Sequence, residues 1–451
     1  MSSIGPRSMT EGSVSRHLIL FALPLFAGSL LQQAYNMVDT WVVGNYVSDA
    51  ALAAVGVGWP VMFMFTSLFM GMATGGTVVI SQFYGAGQLE RVRDVIDTLY
   101  TALLCAIVPL SILAVLLVDP LCTVLRVDPS CRAEARTYLI IVSAGLIGSV
   151  GYNANAGILQ GLGDSRSSLR FLLVAAIVNV AGDLLLVLRL HMGVAGVAYA
   201  TVLAQLISWL FGIFYINRHY PGLAIHPLSF RFDRALFGKI MKIGLPAGIQ
   251  MATISLGSLV VMARINSYGE AYTAAYNVGN KLDNMAWLPI QSICTAATAF
   301  VGQNVGAQRY DRVKKGIGTA LALCLCWCAL IIAVLLPLRA QAVALFTDTP
   351  ETVAAGARYL RCILPFYPFL ASMFCLNNAM RGAGDSLFPM LCVIFTQIFL
   401  RIPAFYYVSD RFGPDNMYYS LGITWLCGAL IAAVYYFCGR WKKFGLVEKE
   451  K

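Results

Sequence analysis

The sequence predicts an all-α polytopic membrane protein: twelve transmembrane helices in two six-helix lobes, the second a parallel internal repeat of the first. Three observations predict it. Of 451 residues, 59% are hydrophobic and 12% charged, too few polar side chains to clothe a water-facing surface; mean hydropathy is +0.72. Apolar stretches run to about 20 residues, the length a helix needs to cross hydrocarbon, without the alternation of barrel strands about ten residues long. Landmarks of the first half also return at a fixed spacing in the second.

Candidate spans are centred near residues 28, 64, 105, 147, 178, 205, 252, 287, 327, 368, 397 and 428. Hydrocarbon offers the backbone no hydrogen bonds, so each span satisfies its own as a helix. The first span carries Tyr35, Asn36 and Asp39 late in its course. The fourth has Tyr138 near its outer end and Asn153 and Asn155 deeper, the fifth Asn179 and Asp183, and the sixth Thr201. In the second half the seventh span, Pro246 to Arg264, has no acid, and the tenth carries Asn377 and Asn378 but no Asp. That half holds Arg264, Lys281, Asp283, Arg361 and Arg401 instead. For Arg264 and Arg361 the competing reading is snorkelling at helix ends. Residues Met1 to Ser15 are polar and the first apolar run lacks an A-x-A-like site, so no cleaved leader is expected.

The net charge of +10 is not distributed like a nucleic-acid surface. Alternate connections are basic (Arg91 and Arg93; Arg166 and Arg170; Arg218 to Lys242; Arg309 to Lys315), as is the tail from Arg440. The intervening ones carry Asp49, Asp119, Asp128, Glu270, Asp348, Glu351, Asp410 and Asp415. This positive-inside pattern predicts a multi-pass protein of the plasma (inner) membrane with both termini cytoplasmic.

The repeat has a spacing of 221. Ser81-Gln82-Phe83-Tyr84-Gly85-Ala86-Gly87 returns as Gly302-Gln303-Asn304-Val305-Gly306-Ala307-Gln308, and Gly161-Leu162-Gly163-Asp164-Ser165 as Gly382-Ala383-Gly384-Asp385-Ser386. Pro129 and Tyr138 match Pro350 and Tyr359, while Leu23-Pro24 returns as Leu245-Pro246 at 222. An even number of spans per unit makes the repeats parallel, an arrangement of transporters with the substrate path between the halves. The expected domains are an N-terminal lobe, 1–217, a cytoplasmic linker, 218–238, and a C-terminal lobe, 239–451. The glycine turns shape loops, with Asp164 and Asp385 capping the following helices. No phosphate-loop lysine follows them, so a nucleotide site is not expected. The twelve cysteines show no zinc or haem spacing and read as buried packing, with Cys122 and Cys131 placed where pairing is open.

The Gln-x-x-Gly-Ala turn after the second span of each half, Gly-Asp-Ser after the fourth, and Arg401-Ile402-Pro403 in the eleventh resemble the multidrug and toxic compound extrusion (MATE) family over roughly residues 15 to 440. The resemblance implies a non-enzymatic antiporter that exports organic, often cationic, drugs as H⁺ or Na⁺ enters. It also implies no cofactor beyond the coupling ion. In the DinF-like branch an N-lobe cluster of two Asp with Asn and Thr is the proposed cation site. The matching positions are Asp39, Asp183, Asn179 and Thr201, with Asn153 or Asn155 aligned less securely. The NorM-like branch uses carboxylates in the seventh and tenth spans, and those are lacking here.

The residues themselves point the same way. A charge at membrane depth costs about 2.5–3.5 kcal/mol on insertion scales, so embedded acids read as functional. Both helices start at the cytoplasm, which places Asp39 and Asp183 in the outer half. Asn179 and Asp183, spaced i,i+4, share a face. Burial favours the neutral, proton-carrying acid, and the same oxygens also suit Na⁺. The competing readings are that Asp39 ends its helix facing water, and that the Asn and Thr residues make interhelical bonds. Tyr35, Met62, Met251, Met285 and Trp287, with Trp59 and Met64, are candidates for a substrate cavity, where soft side chains suit varied ligands. The alternative function is a flippase or exporter of an anionic lipid-linked or metabolite substrate, motivated by the basic second half. A channel or membrane scaffold accounts for neither the duplication nor the embedded acids. The expected partners are small-molecule substrates and the bilayer, without nucleic acid, and nothing demands more than a monomer.

Overall fold

The computed structural model describes residues 8–124, 127–227 and 229–447. Among these residues the secondary structure is helical throughout, with no strand. The helices are α1 (Val14–Tyr46), α2 (Asp49–Gly85), α3 (Leu89–Val124), α4 (Arg132–Ala144), α5 (Leu146–Gly161), α6 (Ser165–Asp183), α7 (Gly193–His219) and α8 (Arg234–Asn266). There follow α9 (Glu270–Gly306), α10 (Tyr310–Leu335), α11 (Arg339–Ala344), α12 (Pro350–Ile363), α13 (Tyr367–Gly382), α14 (Leu387–Ile394), α15 (Ile402–Phe412) and α16 (Tyr419–Cys438). Among the described residues ten helical segments are long and apolar enough to cross a membrane, or eleven when the pair α4–α5, bent by 49°, is one span. The 37-residue α2 is the repeat counterpart of α9, which is among the ten. Large apolar side chains such as Leu116, Phe214 and Phe437 are exposed along these helices, which suits a hydrocarbon surround.

The duplication extends to helix boundaries. The residues bounding α2 and α9 are displaced by 221 at both ends, as are the ends of α5 and α13, Gly161 and Gly382. The left-handed turn positions repeat too. Gly163 and Gly384 have φ of 84° and 103°, and Gly87 with 76° is matched by Gln308 with 58°. A side chain there costs about 1–2 kcal/mol that glycine avoids. Asp164 caps α6 by accepting the Arg166 and Ser167 amides, each at 3.1 Å, and takes the Tyr220 hydroxyl at 2.7 Å. Asp385 accepts the Tyr435 hydroxyl at 2.5 Å. The fourth span of each half is interrupted, at Gly145 between α4 and α5, and at a 3₁₀ turn, Leu364–Phe366, between α12 and α13. Pro365 accounts for the second interruption by removing an amide donor.

By packing, the chain divides into two compact units. One contains Leu23–Gly248, the other Met9–Ala22 with Ile249–Lys451. The boundaries of these packing units fall inside α1 and α8, near Pro24 and Pro246. The local reasons are visible in each unit. In the second, the lead into α1 is held by α9 and α10: Met9 N–H donates to Gln303 Oε1 at 2.8 Å, and Arg312 donates to the carbonyls of Met9 and Gly12. In the first, the lead into α8 lies on α3, where Thr101 donates to the Arg231 carbonyl at 2.9 Å and Asp233 N–H to Thr98 at 3.2 Å. The start of α8 then meets α2 backbone to backbone. A Cβ added at Gly75 would stand 2.3 Å from the Ile240 carbonyl oxygen, and one at Gly71 2.4 Å from that of Gly244. Gly71 with Gly75, and Gly244 with Gly248, are small residues four apart, the spacing that lets membrane helices approach closely.

This close approach predicts that Gly75→Ala destabilises the protein by about 1–3 kcal/mol through overpacking. Gly238→Ala, with nothing within 4 Å of the added carbon, should be neutral or slightly stabilising. Thermal melting of the two variants in detergent, followed by size-exclusion chromatography, reads the difference.

Candidate functional site

In the first unit, α1 and α6 bring two acids together. Asp183 is 0% exposed and Asn179 2%, one helical turn apart on α6; Asp39, on α1, is half-buried. The Asp39 carboxyl lies in side-chain contact with both Asp183 and Asn179. Yet Asp39 Oδ1, both Asp183 oxygens and both polar atoms of Asn179 complete no hydrogen bond. Tyr138 lies within electrostatic reach of both acids, and Tyr35 of Asp39. An apolar wall of Val42, Val43, Ala51, Val187, Val194 and Val197, with Tyr138 packed on it, adjoins them. Asp183 is the last α-helical residue before a π-helical stretch, Leu184–Arg189, a distortion frequent at functional sites.

Electrostatics limits what such a pair can do. Two unit charges about 4 Å apart repel by about 4 kcal/mol at an effective dielectric near 20, before desolvation is counted. Unpaired buried polar atoms cost about 1–3 kcal/mol each. A proton on one carboxyl removes the repulsion and lets it donate to an oxygen of the other, and a cation between them would neutralise both. The donor set of two carboxyls and an amide fits either ion.

Other candidates fall elsewhere. Thr201 is half-buried on α7, next to Ala200, which packs on Gly182, and makes no hydrogen bond to either acid. Asn153 bonds back to the Ser149 carbonyl at 2.8 Å. Asn155, 0% exposed, takes the Tyr100 hydroxyl and donates to the Trp209 carbonyl at 2.9 Å, so it ties α5 to α3 and α7. Of the cavity candidates, Tyr35 takes a long bond from Gln32 at 3.5 Å, and Met62 faces the Ser143 hydroxyl. Met251 is half-buried, Met285 is exposed, and Trp287 packs edge-on against Phe374. The side chains of Trp59 and Met64 lie outside the described residues. Cys122 and Cys131 are buried free thiols.

Sequence reasoning named Asp283 and Arg401 but did not group them into the second cluster, which lies in the other unit. Arg401, 7% exposed, closes a π-helical stretch, Phe395–Arg401, donates to Gln397 at 2.7 Å, and leaves its Nε unpaired. It acts electrostatically on Asp283, which also contacts Tyr359. Tyr276 and Tyr359 lie within electrostatic reach of this pair and pack with Tyr418, two of the three ring contacts edge-on, with ring centroids 4.8 to 6.4 Å apart. Tyr359 is the 221-spaced partner of Tyr138, a correspondence that was the available signal. The other bases are peripheral. Arg264 pairs with Asp410 and lies over the Tyr268 and Tyr406 rings. Lys281 and Arg361 are exposed.

A duplicated multi-span helical chain with an embedded acid pair defines the class of membrane transporters. The chain belongs to the MatE family, whose profile matches residues 24–185 and again 246–407. It is 30% identical over 437 residues to the probable multidrug resistance protein YpnP of Bacillus subtilis, covering 97% of this chain and 98% of that one. Its fold is that of a MOP superfamily transporter from Pyrococcus furiosus, described as having a binding pocket of reversed polarity, with TM-score 0.90, 20% identity and coverage of 97% and 98%. It is likewise that of a multidrug resistance MATE transporter solved outward-facing, with TM-score 0.89, 20% identity and coverage of 98% and 100%.

The assignment of Asn155 to helix packing predicts that Asn155→Ala lowers stability by about 1–3 kcal/mol, because the buried Tyr100 hydroxyl loses its acceptor. Asn153→Ala should leave the melting temperature within the error of the wild type in the same detergent assay.

Proposed function

We propose that the protein is a secondary active antiporter of the plasma membrane, with cytoplasmic termini. It exports organic, often cationic, compounds in exchange for H⁺ or Na⁺ bound at Asp39 and Asp183. The observation that supports this most is the pair itself: two contacting acids beside an apolar wall, with five polar atoms that complete no hydrogen bond. An ion arriving there neutralises the pair and lets α1 and α6 repack. If ion and substrate favour states open to opposite sides, each shifts the equilibrium against the other, which is antiport coupling. The wide match to a probable multidrug resistance protein accords with drug-like cargo.

A second reading is export of an anionic lipid-linked or metabolite substrate. It draws on the buried Arg401 and Arg381, each with an unpaired Nε, and on the reversed pocket polarity described for the Pyrococcus furiosus relative.

Asp39→Asn and Asp183→Asn should each abolish export of a cationic dye such as ethidium from cells lacking other pumps, while membrane abundance stays at the wild-type level. Normal export by both variants would overturn the acid-pair site. Export that follows an imposed pH gradient without Na⁺ identifies the proton; the converse identifies Na⁺. Failure to move any cationic compound, with transport of an anionic or polyprenyl-linked one, selects the second reading.

A further inference from the structure

We propose that Cys294, Cys324 and Cys375 form a binding site for one soft monovalent metal ion, copper(I), in the core of the second unit. The three residues lie on α9, α10 and α13, helices that all pack on one another. Their sulfur atoms all lie within 4.8 Å of one another. Their exposures are 2%, 0% and 0%, and all three are free thiols. They are separated by 30 and 51 residues in sequence, so no spacing motif announces them.

The geometry and chemistry favour a particular ion. Metal–thiolate bonds of about 2.3 Å place three sulfurs of a trigonal site about 4 Å apart, so a small inward movement of side chains suffices. Structural zinc takes four ligands, and catalytic zinc keeps a water in the fourth position. Among the described residues the cluster supplies three ligands and no fourth His, Cys, Asp or Glu, in a core closed to solvent. Hard cations prefer oxygen, whereas thiolates select copper(I).

Charge balance agrees. Copper(I) held by two thiolates and one neutral thiol carries a net charge of −1, and binding releases two protons with no change of oxidation state. Arg381, 6% exposed on α13, places a guanidinium within electrostatic reach of Cys294, which offsets that charge. It is held there by bonds to Gln250 and Asn378, and its Nε has no partner. Cys328 lies one turn from Cys324 on α10, equally buried and within its electrostatic reach, so a Cys324 variant would leave a second thiol nearby. The variants of choice are therefore at Cys294 and Cys375.

The test titrates the full-length, reduced protein in detergent with copper(I) under anaerobic conditions against a chromogenic copper(I) chelator. One equivalent should be bound, and Cys294→Ser and Cys375→Ser should each weaken retention at least tenfold, with size-exclusion profiles confirming that they fold. Zinc(II) in place of copper(I) should bind no better to the wild type than to the variants. X-ray absorption of the copper-loaded wild type, which needs no variant, should show a sulfur-only coordination sphere. Less than stoichiometric copper, equal retention by the serine variants, or nitrogen or oxygen ligands at the metal would each overturn the proposal.

Discussion

Hydrocarbon cannot accept or donate a hydrogen bond, and this governs nearly every polar atom in the chain. Backbone groups are paired inside helices, and many buried hydroxyls are paired back onto them. Thr77 donates to the Ala73 carbonyl at 3.0 Å, Ser292 to Leu288 at 2.8 Å and Thr396 to Cys392 at 2.9 Å. Against this habit, an unpaired buried group is informative. Asp39, Asn179 and Asp183 are conspicuous because their unpaired atoms fall together.

The same constraint explains the glycine contacts. Helices in lipid gain no hydrophobic drive from meeting one another, so close backbone approach and dispersion must supply the attraction. Gly71, Gly75, Gly244 and Gly248 provide that approach between α2 and the start of α8. The leads into α1 and α8 are then fastened by directed bonds, from Arg312 and Gln303 in one unit and from Thr101 and Thr98 in the other. Part of what the repeated Gln-x-x-Gly-Ala turn does is thereby explained, since Gln303 receives an amide as well as ending a helix.

Much of this was legible in the sequence. Hydropathy located the spans, and the 221 spacing foretold matching helix boundaries. Two embedded acids were visible because charge is rare at that depth. What was not legible depends on tertiary approach. The i,i+4 spacing to Asp183 marked Asn179, but nothing local showed that Asn155 serves Tyr100 and Trp209 on other helices. The packing-unit boundaries inside α1 and α8 follow from which surfaces those helix starts bury. The tyrosine ring around Asp283 and Arg401 likewise needs three separate helical segments to converge.

The two clusters nevertheless illuminate one another. Tyr138 and Tyr359 occupy equivalent places in the repeat, one beside Asp39 and Asp183, the other beside Asp283 and Arg401. In the second cluster the guanidinium is a built-in cation, covalently fixed and unable to leave. In the first, two acids face each other without such a partner in their contact set. On the proposed reading, the charge that compensates the first cluster comes from solution, whereas the acid of the second has a basic residue of its own within electrostatic reach. Duplication supplied two similar frames, and a single basic residue accounts for why, on the proposed reading, an exchangeable ion acts on only one of them.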